Sequence, residues 1–124
     1  YTILPFEGDS WSEVTKEARL LNMPPFLLPE NNHKGTLPLE GTFLQVTGAI
    51  ATAIKVAEDK NGTILRLIAV QKDGCVAEVS IPGLKAAQIV DLAEQPVAQC
   101  AVVDGKVTLP IGHDQTVALR LITK

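Results

Sequence analysis

Residues 61–83 read NGTILRLIAVQKDGCVAEVSIPG. Two apolar runs lie between turn dipeptides. Asn61-Gly62 takes the positive φ angles of a hairpin turn, Thr63 to Val70 follows as a strand, and Asp73-Gly74 turns the chain again. Cys75 to Ile81 then alternates, with Cys75, Ala77, Val79 and Ile81 on one side and Glu78 and Ser80 on the other. Period-2 alternation puts one side on a core and the other towards solvent. Pro82-Gly83 closes the run. The same pattern extends outward in both directions. Upstream, Thr42–Thr47 and Ala49–Ala57 are separated by Gly48. Downstream come Ala87–Leu92, Val97–Val103 and a third turn at Asp104-Gly105. Val107, Leu109 and Ile111 share one face, with Lys106 and Thr108 opposite. In the last strand Val117, Leu119 and Leu121 point inward, and Thr116 and Arg120 outward. Seven or eight short strands, with tight turns and no helices between them, predict a mainly β fold over 42–124, an antiparallel β-sandwich. A parallel α/β fold would need helical crossovers.

Residues 1–41 differ in character. Ser10 followed by Glu13 has capping-box spacing, and Trp11, Val14, Ala18 and Leu21 recur at helical period. This predicts one short helix over about 10–22, stopped by Pro24-Pro25. A stripe containing Trp11 is expected to be a packing face. Residues 24–41 hold Pro24, Pro25, Pro29 and Pro38 and predict a long loop lying against something. The lead-in and the sandwich are read together as one domain, a C-terminal fragment of a larger chain.

Composition narrows the function classes. The chain has 124 residues, 46% hydrophobic and 20% charged, enough to fold around a core. Eleven Lys and Arg against fourteen Asp and Glu leave no basic surplus for nucleic acid or an anionic membrane surface. No apolar run approaches the roughly 20 residues that span a bilayer. Cys75 and Cys100 match no metal-ligand spacing and read as small core residues of a reducing compartment. His33 and His113 are isolated in loop-like contexts. Glu58, Asp59, Asp91, Glu94 and Asp104 fall at strand ends and turns, and read as ordinary solvated carboxylates. Asn61-Gly62-Thr63 fits the glycosylation pattern, but the hairpin turn explains all three residues. The aromatic residues are Tyr1, Phe6, Trp11, Phe26 and Phe43, so the strands beyond residue 43 offer no aromatic platform for a sugar ring.

The order of several pieces resembles the C-terminal region of glycoside hydrolase family 38 α-mannosidases. They are Gly35-Thr36-Leu37-Pro38, Phe43-Leu44-Gln45-Val46, Ala53-Ile54-Lys55-Val56-Ala57-Glu58-Asp59 and Leu65-Arg66-Leu67. Ala87 to Glu94 is similar to that family's "A-x-x-V-D-L-x-E", and Val117 to Leu121 to its closing "T-L-R-L" strand. Ile3-Leu4-Pro5-Phe6 and the helix after it resemble its entry segment. Two departures stand out. Phe6 replaces the usual His after the entry Pro, and Ile68-Ala69 replaces Tyr-Asn after Leu-Arg-Leu. They point to a divergent or bacterial branch.

The resemblance implies a non-catalytic terminal β-sandwich of a cytoplasmic enzyme that hydrolyses terminal α-mannosides. Such a domain supports the fold and the active-site rim of its parent. The nucleophile, the acid/base carboxylate and a zinc ion are expected in an N-terminal catalytic domain. No residue of this chain is given a catalytic, cofactor-binding or metal role. The expected partners are the catalytic and middle domains of the parent, with self-association through an exposed apolar patch, and neither nucleic acid nor membrane. Two other readings stay open: an autonomous carbohydrate-binding module, and an immunoglobulin-like interaction module.

Overall fold

The computed structural model describes residues 2–8, 11–32 and 34–123. The chain divides into two compact units, residues 1–42 and 43–124.

In the first unit, α1 spans Trp11–Asn22. Glu13 in its first turn and Arg19 in its last complement the helix dipole. The Thr15 hydroxyl donates to the Trp11 carbonyl and the Asn22 amide to the Ala18 carbonyl. The Met23 N–H bonds the Arg19 carbonyl, and Pro24 allows no further turn. Ser10, the expected cap, lies outside the described residues. The Trp11 stripe is not covered within its own unit. None of the described α1 residues is buried, and Trp11 is 53% exposed with the Phe6 ring edge-on to it, 5.5 Å between centroids. An apolar stripe is covered only where a second apolar surface meets it. Residues 24–42 form no helix or strand among the described residues, and Phe26, Leu27, Leu28, Leu37 and Leu39 are all largely exposed.

The second unit is a β-sandwich of nine strands. They are β1 (Gln45–Thr47), β2 (Ile50–Val56), β3 (Thr63–Ile68), β4 (Cys75–Ser80), β5 (Ala86–Val90), β6 (Pro96–Cys100), β7 (Val102–Val103), β8 (Lys106–Ile111) and β9 (Thr116–Ile122). One sheet has the order β1-β4-β8-β7, the other β2-β3-β9-β5-β6, and every pairing is antiparallel. Leu65, Leu67, Leu119 and Leu121 of the five-stranded sheet share one core with Ala77, Val79, Val107, Leu109 and Ile111 of the four-stranded sheet. The alternation in residues 75–81 and 106–111 lands as expected, with Val79 and Val107 sealed and Lys106 and Thr108 outside.

The expected strand 97–103 is two strands. Its first part, β6, belongs to the five-stranded sheet, and β7 belongs to the four-stranded one, so the chain changes sheets at Ala101. Of the three expected turns, Asp73-Gly74 joins β3 to β4 across the two sheets and closes no hairpin, and the other two differ in kind. Asp104 and Gly105 both take positive φ, a two-residue turn closing the Val103–Lys106 pair. At the β2–β3 turn positive φ falls on Lys60 and Gly62 rather than on Asn61. The Lys60 N–H bonds the Ala57 carbonyl and the Asn61 N–H bonds an Asp59 carboxylate oxygen. Gly62 serves a second purpose as well, since a Cβ there would stand 2.6 Å from the Leu121 carbonyl oxygen on β9.

The five-stranded sheet has a second buried face. Strand β9 reads V-A-L-R-L-I, apolar on both sides apart from Arg120, as expected for a strand covered on both faces. Outside the main core, Ala57, Ile64, Val90 and Ala118 form a small apolar cluster of their own.

Candidate functional site

A charged clasp joins two turns from opposite ends of the five-stranded sheet, since by register the β2–β3 turn lies at the Thr63–Leu121 end and the β5–β6 turn at the Val90–Ala118 end. Its residues come from β2 (Lys55), the β2–β3 turn (Glu58 and Asp59), the β5–β6 turn (Glu94) and β9 (Arg120).

The β5–β6 turn is built around Asp91. One Asp91 carboxylate oxygen accepts the N–H groups of Ala93 and Gln95, and the Asp91 carbonyl accepts the Glu94 N–H at 3.1 Å. These bonds hold Glu94 at φ +63°, a left-handed conformation that costs a non-glycine residue about 1–2 kcal/mol. In this turn the Glu94 side chain is carried back over the sheet and is 7% exposed. One of its oxygens meets Lys55 Nζ at 2.8 Å, and the other accepts the Glu58 N–H at 2.8 Å. Lys55 also pairs with Glu58.

Arg120 forms the other half. One Nη donates to Asp59 at 2.6 Å and the second to the Glu94 carbonyl at 2.9 Å. The side chain is 9% exposed, so its pairing partners replace water. The clasp thus bridges positions far apart in sequence and ties two turns to the central strand.

Glu94, Asp59 and Lys55 are each stabilised in the ionised form. The Lys55 ammonium, then the Glu58 N–H, holds the Glu94 carboxyl below its ordinary range. Asp59 is lowered first by the Asn61 N–H and then by Arg120. Lys55 is raised by Glu58 and then Glu94. A catalytic acid needs the opposite environment, one that keeps its proton on.

The solvated-carboxylate expectation therefore fails for Glu94. The turn's left-handed residue folds its side chain inward onto Lys55. Glu58 and Asp59 stay exposed, as expected, but both are paired. Asp91 organises a turn, and Asp104 is an exposed turn residue. Arg120, expected to point outward, does leave the main core, yet it is buried under the clasp. A lone charge inside an apolar strand was the available signal for it.

The remaining candidates lie elsewhere. Cys75 and Cys100 are free thiols packed beside the main core, and burial raises both pKa values. His113 is half exposed, with Nδ1 3.1 Å from the Gln71 carbonyl and Nε2 3.2 Å from Asp114. His33 lies outside the described residues. On the outer face of the four-stranded sheet, Glu78, Val103, Asp104, Lys106 and Thr108 line an open groove of about 490 Å³, crossed by a Glu78–Lys106 pair at 2.9 Å. Among the described residues, no three His, Cys, Asp or Glu side chains gather to hold a metal ion, and no helix is long and apolar enough to cross a membrane.

Comparison with protein families adds one match. The family model for the glycosyl hydrolases family 38 C-terminal beta sandwich domain covers residues 48–117, more than half of the chain. The chain belongs to that family. No curated protein and no solved structure matches. Within the family 38 domain, the matched span holds Lys55, Glu58, Asp59 and Glu94, and stops three residues before Arg120. The segments carrying the sequence resemblance are therefore the ones that supply the clasp. Ala53–Asp59 gives Lys55, Glu58 and Asp59, Ala87–Glu94 gives Glu94, and the closing strand gives Arg120.

Proposed function

We propose that this domain is the non-catalytic terminal β-sandwich of an α-mannosidase, an enzyme that hydrolyses terminal α-mannosides in carbohydrate metabolism. Its role is to support the fold of the parent and the rim of its active site. The family 38 match is the observation that carries this reading. The state of the carboxylates supports it. Glycoside hydrolysis by the usual route needs one carboxyl group held protonated beside a second that is ionised. Glu58, Asp59 and Glu94 are each held by a cation, and the pKa values of Asp59 and Glu94 are lowered. That is the chemistry of a structural clasp. On this reading the nucleophile, the acid/base and the zinc ion belong to a catalytic domain of the parent, in the cytoplasm. Catalytic and middle domains would also be the surfaces that cover Leu27, Leu28, Leu37 and Leu39.

The test is an assay of the purified 124-residue chain on an aryl α-mannoside, with metal analysis of the same sample. We expect no turnover and no stoichiometric zinc. Turnover by this chain would overturn the reading. Calorimetry with mannose oligomers separates it from a carbohydrate-binding module, which would show saturable heat.

A further inference from the structure

The clasp pairs Lys55, Glu58, Asp59, Glu94 and Arg120, but an arginine on the same outer face stays outside it. Arg66 lies on β3, opposite Ala53 on β2 and Ala118 on β9. It shares a face with Ile64 and is diagonal to Arg120 across the β3–β9 ladder. Among the described residues, no hydrogen bond or ion pair reaches its guanidinium, and its Nε is buried without an acceptor. The carboxylates of Glu58, Asp59 and Glu94 are taken up by Lys55 and Arg120.

We propose that Arg66 is a binding position for a single carboxylate on the outer face of the five-stranded sheet. The chemistry of the group selects this ligand. A guanidinium offers parallel N–H donors in a planar fork, and a carboxylate laid along the Nε–Nη edge accepts two of them at once. Such a ligand supplies the acceptor that Nε lacks. No hydrogen bond fixes the Arg66 head, and the residue is only half-buried, so the fork is free to turn that edge outward. Its two cross-strand neighbours are methyl side chains, too short to roof it. The adjoining apolar cluster of Ile64, Val90 and Ala118 lowers the local dielectric, which strengthens a charge pair. Arg120 is the internal contrast. Its Nε also lacks an acceptor, but both of its Nη groups are already held. A polyphosphate or nucleic acid would need several free cations, and Lys55 and Arg120 are engaged. One unengaged guanidinium suits one carboxylate, whichever enzyme carries the domain.

The carboxylate comes either from a small organic acid or from an Asp or Glu side chain of a protein surface laid on the sheet. The test is a titration of the chain, labelled for arginine side-chain NMR, with acetate, with a capped peptide containing one Glu, and with chloride as the ionic-strength control. The Arg66 Nε–H signal is expected to shift saturably with carboxylate and not with chloride, while Arg120 stays still. Acetate and peptide binding equally would assign a free acid, and a peptide about tenfold tighter would assign a protein side chain. Arg66→Gln should abolish the saturable shift of neighbouring amides, and Arg66→Lys should weaken binding about threefold or more, since an ammonium keeps the charge but loses the fork. Arg66 unmoved by both carboxylates, or Arg66 and Arg120 moving alike with carboxylate and chloride, would overturn the proposal. So would Arg66→Gln binding acetate as the unmodified chain does.

Discussion

Residues 1–42 and 43–124 both carry leucines and place them differently. The first unit spends Trp11, Leu27, Leu28, Leu37 and Leu39 on exposed surface, and the second seals Leu65, Leu67, Leu119 and Leu121 to 1% exposure or less. The presence of leucines is therefore no measure of core. What differs is repetition, because β-strands present apolar side chains at a fixed period to a facing sheet, while a Pro-rich loop presents them in no common direction.

Leu119→Ala strikes this contrast hardest. Leu119 is fully buried on a strand paired on both sides, and its truncation should cost about 2–5 kcal/mol in denaturant unfolding. Leu27→Ala is its counterpart. Leu27 is 91% exposed, so the change should stay within about 0.5 kcal/mol. Equal losses at the two positions would erase the distinction between the units. Gly62→Ala probes the backbone of the second unit. A positive φ and the close Leu121 carbonyl should make it cost about 1–3 kcal/mol, against a negligible effect at Gly35, which has open space around it.

Glu94→Gln sharpens the comparison at the clasp. Glu94 and Asp59 have lowered pKa values, so their stabilisation is complete above the ordinary carboxylate range and is lost as pH falls through the folded-state values. Lys55 is raised, and its contribution disappears only in strong alkali, as pH climbs through its folded-state value. Melting temperature followed from neutral to acid pH should fall less steeply in Glu94→Gln than in the unmodified chain. Parallel curves would show that the clasp adds nothing to acid sensitivity. The smallest effect is kinetic. Burial raises both cysteine pKa values, so alkylation of Cys75 and Cys100 should be slow in the folded chain and quicken on unfolding.

The strands were legible because their information is local. Residues 75–81 and 106–111 write their burial in alternate positions, and Asp104-Gly105 writes its own turn. The sheet change at Ala101 was not legible, since nothing in Val97–Val103 distinguishes the residue that crosses. The clasp was hidden for a different reason. Its Asp59–Arg120 bond joins residues 61 positions apart, and its Glu94 depends on a left-handed turn residue that carries no glycine signature. Long-range polar pairing leaves its trace only as a charge where an apolar residue is due, as Arg120 sits between Leu119 and Leu121.

The position of β9 has a consequence for biosynthesis. It is the last of the described strands in sequence, yet it lies between β3 and β5. On the ribosome, both of those strands emerge with an open edge waiting for residues 116–122. Until that segment arrives, β3 and β5 are templates for any passing chain. A stop codon before Thr116 would leave a sticky half-product in place of a slightly shortened domain.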